Sequence, residues 1–209
     1  MTEPQNNSKE DITGAEAVII HGTWFGRDAI YKKRITKKYR VEQLDRKIRV
    51  SRMKHELKMI HNARLSGVAV PWIYDVDMFE LTIVMEYING KTLKEELENK
   101  NNAEHNLEEL VKEIIKMHSN KIAHGDLTTS NVIVSNGKLV FIDFSLGTGR
   151  ASIEELAVDI HMLKEVFLSA HEKYRELLDK LLLEYATSWN YGEEVIKKEI
   201  EISKRGRYT

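Results

Sequence analysis

The sequence predicts an α+β protein built as two lobes, a small β-rich first lobe and a helical second lobe. Three observations predict it. Residues up to about 88 alternate in the manner of strands around a single helix. Asn89-Gly90 breaks that pattern. The helical stretch that follows is interrupted by one short hairpin carrying Asp126, Asn131 and Asp143.

The elements follow in order. Residues 15–20 read as a strand, 21–27 with two glycines as a turn, and 28–35 as a second strand. Residues 51–65 read as a helix with Ser51 as N-cap, Met53, Leu57 and Ile60 on one face, and Gly67 ending it. Two further strands are expected at 72–77 and 81–87. Helices are expected at 92–99 and 106–120. Short strands at 132–134 and 139–142 flank Asn136-Gly137, a strong two-residue hairpin signal. Helices at about 153–170, 172–187 and 192–203 complete the reading. The domain expectation is a lead-in at 1–12 without order, a first lobe at 13–88, a second at 89–203 and a basic tail at 204–209.

The chain has 209 residues, 42% hydrophobic and 31% charged, enough for a real core. It has no cysteine, which excludes disulfides, thiolate metal sites and a cysteine nucleophile and suits a cytoplasmic protein. No apolar run approaches the roughly 20 residues of a membrane span, and the polar start MTEPQNNSKEDIT does not read as a signal peptide. The net charge of −1 hides an asymmetry. Residues 32–54 hold eleven Lys or Arg against Glu42 and Asp45.

Chemistry is concentrated in His124-Gly125-Asp126-Leu127-Thr128-Thr129-Ser130-Asn131 and Phe141-Ile142-Asp143-Phe144. Phosphoryl transfer needs a carboxylate to accept a hydroxyl proton and hard oxygen ligands for magnesium. Asp126 and Asn131 lie five residues apart on one tight loop, and Asp143 returns on the paired strand. This points to Asp126 as the catalytic base and to Asn131 and Asp143 as the metal ligands. His124 reads as a packed structural histidine and not as a base.

The loop HGDLTTSN resembles that of the small atypical kinase subunit of the KEOPS (EKC) complex, the PRPK family. The similarity runs from about Gly14 to Thr209 and includes GAEA at 14–17, KKRITKKYR at 32–40, LD at 44–45, AVDIHMLKE at 157–165 and RGR at 205–207. The resemblance implies a bilobal protein-kinase-like fold with a reduced helical C-lobe, ATP and Mg2+ as cofactors, and serine/threonine protein kinase and ATPase activity. It also implies assembly with the KEOPS threonylcarbamoyl transferase and other KEOPS subunits, with tRNA bound in the complex and threonylcarbamoyladenosine as the product. Ala29-Ile30-Tyr31-Lys32 resembles the kinase strand whose lysine pairs with the phosphates. Alternation puts Ile30 with Lys32 and sends the adjacent Lys33 to the other face. Glu56 matches the helix glutamate that pairs with that lysine. Met85, Glu86 and Ile88 resemble the hinge that holds adenine; by itself this segment also reads as an ordinary strand end. A phosphate-binding glycine loop is absent, since Gly14, Gly22 and Gly26 are spread out.

Two absences narrow the expectation. Gly125 stands where ordinary kinases carry an arginine that docks a phosphorylated loop, so no switch of that kind is expected. Only fifteen residues separate Asp143 from Asp159, which resembles the family's buried anchor, leaving little chain for a peptide-docking platform. Ser145 follows Phe144 where relatives usually have glycine, which questions the backbone freedom there. The basic run reads either as a solvated face or as contact with an anion such as tRNA, through Lys37, Lys38 and Arg40; Arg205 and Arg207 read likewise. Two alternatives stay open: a small-molecule phosphotransferase of the aminoglycoside-kinase type, and a non-catalytic module whose ATP site regulates a partner.

Overall fold

The structure, a computed structural model, describes residues 12–13, 16–98 and 102–206. By contacts it falls into two units. One holds the chain to Lys58 together with Pro71–Asn89; the other holds Met59–Val70 and the chain from Gly90.

The first unit is one antiparallel sheet and most of one helix. The strands are β1 (Ile12–Thr13), β2 (Ala17–Trp24), β3 (Arg27–Arg34), β4 (Ile73–Asp77) and β5 (Thr82–Glu86), in the order β1-β2-β3-β5-β4. Of the lead-in expected over 1–12, residues 1–11 lie outside the described residues and Ile12 pairs with Ile19. The expected turn over 21–27 is shorter than that. Trp24 pairs with Arg27, so the turn is Phe25-Gly26 alone, both at positive φ (46° and 76°). That is the two-residue geometry suited to twisted strands. Phenylalanine is a poor residue for it, so the signal was hidden, and Gly22 sits in the strand opposite Ala29.

Helix α1 spans Glu42–Leu65 and starts nine residues before the expected Ser51 cap, which is therefore an interior residue. The early turns lack a clean apolar stripe. Leu44 is exposed, while the fully buried residue there is Asp45. Arg49 donates to its Oδ2 at 2.6 Å and the Lys37 N–H to its Oδ1 at 3.3 Å. Ionic contacts replace the hydrophobic periodicity from which a helix is read. Further along, Met53 packs with Leu81, Ile83 and Met85, flanked by Ile30, Val50 and Leu57, as the core of this unit.

The second unit is helical with two small sheets. It contains β6 (Lys91–Thr92), α2 (Leu93–Glu98), α3 (Ala103–Ser119), β7 (Ile122–Ala123), β8 (Val132–Ser135), β9 (Lys138–Phe141) and β10 (Thr148–Gly149). Helices α4 (Ile153–Ala170), α5 (Arg175–Thr187) and α6 (Gly192–Gly206) follow. Strands order as β6-β8-β9 and β10-β7. The β8–β9 turn is Asn136-Gly137, both at positive φ (49° and 72°), as the sequence predicts. Helix α3 buries Leu107, Leu110, Val111, Ile114 and Met117 at helical spacing. Helix α4 opens on a capping box, in which Ser152 Oγ accepts from the Glu155 N–H and Glu155 accepts from the Ser152 N–H. No helix among the described residues is long and apolar enough to cross a membrane.

Candidate active site

In the first unit, alternation along β3 turns Lys32 and Arg34 inward and Lys33 outward. Lys32 Nζ donates to Glu56 Oε1 at 2.6 Å, with both groups buried. Lys33 reaches Glu80 at 2.6 Å on the exposed side, so of the two adjacent lysines it is Lys32 that is buried beside Glu56. The second Glu56 oxygen accepts from Arg34, whose other terminal nitrogen lies 3.2 Å from Glu16; Arg52 also bonds Glu16. Glu56 therefore serves two cations, and desolvation is met by hydrogen bonds on both oxygens. Ile30 packs against the core beside it. At the end of β5, Met85 is buried, and the Glu86 N–H donates to the Trp72 carbonyl at 2.8 Å. Ile88 follows in irregular backbone, partly exposed.

In the second unit the loop between β7 and β8 carries Asp126 and Asn131. Asn131 Nδ2 donates to Asp126 Oδ2 at 2.8 Å and to the Asp126 carbonyl at 2.9 Å. With its nitrogen committed twice, the amide keeps Oδ1 as its acceptor end. The Ile142 N–H donates to the Asn131 carbonyl at 3.0 Å, tying the strand before Asp143 to the loop. Asp143 itself is left-handed, at φ 60°. A non-glycine residue held there is sterically costly and is typical of functional sites. Its Oδ1 accepts from the Ser145 N–H at 3.3 Å. Ser145 is not among the positive-φ residues. The conformational demand falls on Asp143, so serine fits at 145 where glycine seemed called for.

The loop is held from beneath by Asp159 of α4, which is fully buried. Its Oδ2 accepts from the His124 N–H at 2.6 Å and its Oδ1 from the Gly125 N–H at 2.8 Å. His118 Nε2 lies 3.3 Å from the same carboxylate, and its Nδ1 lies 2.7 Å from the Tyr185 hydroxyl. Burial pushes the Tyr185 hydroxyl well above its ordinary value, so it stays a donor. The His124 ring is packed 4.5 Å from Phe144. Its Nε2 donates to the Ile142 carbonyl at 3.0 Å, while Nδ1 accepts from the Asp126 N–H at 3.3 Å. Burial pulls this imidazole below its usual range, against the raising effect of Asp159 and the Ile142 carbonyl. A neutral structural histidine results, as expected. Thr129 Oγ1 meets the buried His171 Nε2 at 3.1 Å; burial likewise lowers His171.

Gly125 has φ 81°, and a Cβ there would collide with the Leu146 carbonyl oxygen. The chain after Asp143 turns at once, with the Gly147 N–H bonded to the Phe144 carbonyl at 3.1 Å, and then pairs Thr148 with Ala123.

The basic run is largely occupied by internal partners. Besides Lys32, Lys33, Arg34 and Arg52, Arg49 and Arg40 face Asp45, at 2.6 and 3.6 Å. Lys38 is exposed and Lys37 half-buried. Arg205 is exposed near Glu154 and Glu201; Arg207 lies outside the described residues. Sequence reasoning missed Arg34, Glu16, His118, Tyr185 and His171. Arg34 carried a signal, since the alternation that selects Lys32 selects it too; the others meet partners far away in the chain.

The donor set fits magnesium. An amide oxygen and a carboxylate are hard ligands, and one or two protein oxygens are what this ion takes where phosphates supply the rest.

The family model described as the RIO domain matches residues 21–181. The KEOPS complex subunit Bud32 of Pyrococcus abyssi is 42% identical over 185 residues, covering 86% of this chain and 84% of that protein. A probable bifunctional tRNA threonylcarbamoyladenosine biosynthesis protein of Methanobrevibacter smithii is 42% identical over 199 residues, 94% of this chain and 36% of that protein. Its counterpart in Thermoplasma volcanium is 36% identical over 204 residues, 98% and 38%. The chain thus spans little more than a third of these longer relatives. The Rio2 kinase of Chaetomium thermophilum, solved with ADP, Mg2+ and phosphoaspartate, superposes with a TM-score of 0.59 at 14% identity, over 97% of this chain and 71% of that one. At that identity the likeness concerns the fold, which is kinase-like. With a RIO-domain match over most of its length and a Bud32 relative aligned nearly end to end, the chain belongs to the RIO-domain family and, within it, to the Bud32 group.

Proposed function

We propose that this chain is an ATP- and Mg2+-dependent phosphotransferase, a serine/threonine protein kinase and ATPase, that works within a KEOPS complex in tRNA threonylcarbamoyladenosine formation. The observation that carries the catalytic part is the Asp126–Asn131 clamp. It leaves one carboxylate oxygen of Asp126 to accept a hydroxyl proton, from a protein side chain or from water. It also orients the Asn131 amide oxygen, which together with Asp143 would hold Mg2+; the ion would supply positive charge for the phosphates. Lys32, oriented by Glu56, pairs with the phosphates, and Met85, Glu86 and Ile88 with Ile30 receive the adenine.

The complex and the tRNA come to this chain from the printed names of its relatives. Lys37, Lys38, Arg40, Arg205 and Arg207 are the proposed contacts to tRNA or partner. Asp126→Asn is expected to lower ATP turnover by about 10²-fold or more, the range for losing a positioned acid–base group, with nucleotide affinity retained. Turnover equal to wild type would remove Asp126 from the mechanism. A tRNA-modification assay with the same variant separates catalysis from a merely regulatory ATP site, because the regulatory reading requires that modification continue.

A further inference from the structure

Tyr185 of α5, His118 of α3 and Asp159 of α4 are fully buried. They form one chain of hydrogen bonds beneath the loop that carries Asp126. The order of the chain fixes the place of each proton. Asp159 accepts the His124 N–H on Oδ2 and the Gly125 N–H on Oδ1. Toward His118 Nε2, 3.3 Å from Oδ2, the carboxylate accepts once more, so that ring nitrogen bears the hydrogen. Nδ1 is then the acceptor of the 2.7 Å pair, and the Tyr185 hydroxyl donates to it. Burial keeps the hydroxyl protonated.

Which nitrogen of a histidine carries the hydrogen is set by the bond that the other nitrogen makes. Tyr185 makes that bond for His118. Without the hydroxyl, Nδ1 would be buried with no donor, which is costly. The ring would gain by turning or by moving its hydrogen, and Asp159 would lose its third donor. A carboxylate held less firmly holds the His124 and Gly125 N–H groups less firmly, and Asp126 follows directly on them. We propose that Tyr185 is a positioning residue for turnover, acting through His118 and Asp159 on the backbone that mounts Asp126, a role that rests on reading Asp126 as the catalytic aspartate. The competing account is that the three side chains only tie three helices together.

Tyr185→Phe deletes the hydroxyl and keeps the ring, which lies edge-on to His118 at 5.7 Å and to Trp189 at 5.8 Å. In steady-state ATP turnover by the full chain, kcat should fall about tenfold at unchanged KM for ATP, short of the roughly 10² that a 1 Å misplacement costs. His118→Gln and His118→Asn separate the two ends of the chain. The longer amide reaches as far as Nε2 and always has an N–H for Asp159, with no tautomer to choose. The shorter one reaches only as far as Nδ1. Glutamine should therefore restore turnover that asparagine loses, and Tyr185→Phe should cost nothing further in the glutamine background. An equal loss from Tyr185→Phe in both backgrounds, or a change confined to KM, overturns the proposal and leaves Tyr185 to packing. Should Tyr185→Phe unfold, the His118 pair decides, and glutamine no better than asparagine overturns the proposal.

Two readouts involve no turnover. Long-range ¹H–¹⁵N NMR of the wild-type chain should show His118, identified by its loss in His118→Gln, with its hydrogen on Nε2; a hydrogen on Nδ1 overturns the proposal. In Tyr185→Phe the His124 and Gly125 N–H groups should exchange faster while those of the first unit's sheet keep their rates. Exchange that is unchanged, or that rises throughout, overturns it. Turnover that survives Asp126→Asn overturns the catalytic reading instead, and the hold on the loop is then judged by exchange alone.

Discussion

At the scale of single residues, Asp159 shows how burial and positioning are joined. Its carboxylate gives up hydration and receives two backbone N–H groups and His118 in return. Removing it leaves those donors buried and unpaired, so Asp159→Ala is expected to lose about 3 kcal/mol or more in a urea melt. Turnover should fall too, because the loop carrying Asp126 is fixed by those bonds. Asp45 gives a pH signature. Burial works against its charge, but bonds from Arg49 and Lys37 and the charges of Arg49 and Arg40 hold its carboxyl below the usual range. With the folded value below the unfolded value of about 4, the contribution is complete above that pH. It is lost as pH falls through the folded value. Asp45→Asn should therefore lower Tm at neutral pH and flatten the acid decline relative to wild type; parallel curves would assign the slope to other carboxylates.

At the scale of elements, the hydroxyls between Asp143 and α4 differ in kind. Ser145 and Thr148 belong to the short turn and β10, whereas Ser152 caps α4. Ser145→Ala with Thr148→Ala should leave ATP turnover unchanged, the outcome expected of a loop that takes no phosphate. Ser152→Ala should cost about 1 kcal/mol in stability. A collapse of turnover in the first variant would mean that one of those hydroxyls acts. The elements also show what could be read in advance. The β8–β9 hairpin was legible because Asn-Gly has one good use there. The inward turn of Lys32 was legible by alternation, and the pairing of Asp126 with Asn131 on one loop by spacing. The first nine residues of α1 were not, because Asp45 and its arginines hold them in place of an apolar stripe. Nor were His118 and Tyr185, whose link to Asp159 joins three helices and leaves no local period.

At the scale of the whole molecule, charge has two uses. Much of the basic run holds the first unit together through Glu16, Glu56, Asp45 and Glu80, which composition alone could not show. The exposed Lys38, with the half-buried Lys37 and Arg40, is what an anionic partner would meet. Charge reversal at Lys37, Lys38 and Arg40 together should weaken tRNA binding and flatten its salt dependence, measured by filter binding across ionic strength. Unchanged affinity would assign the run to structure alone.

The closeness of Gly125 to the Leu146 carbonyl has one more consequence. The loop bearing Asp126 and the turn after Asp143 interlock with no room for a side chain, and β10 is stitched to β7 just beyond. Opening the loop away from the turn would break that packed seam, so the joint is expected to stay closed whether or not nucleotide is bound. Hydrogen exchange offers the check: the Gly147 N–H should exchange slowly, and at the same rate with nucleotide or without.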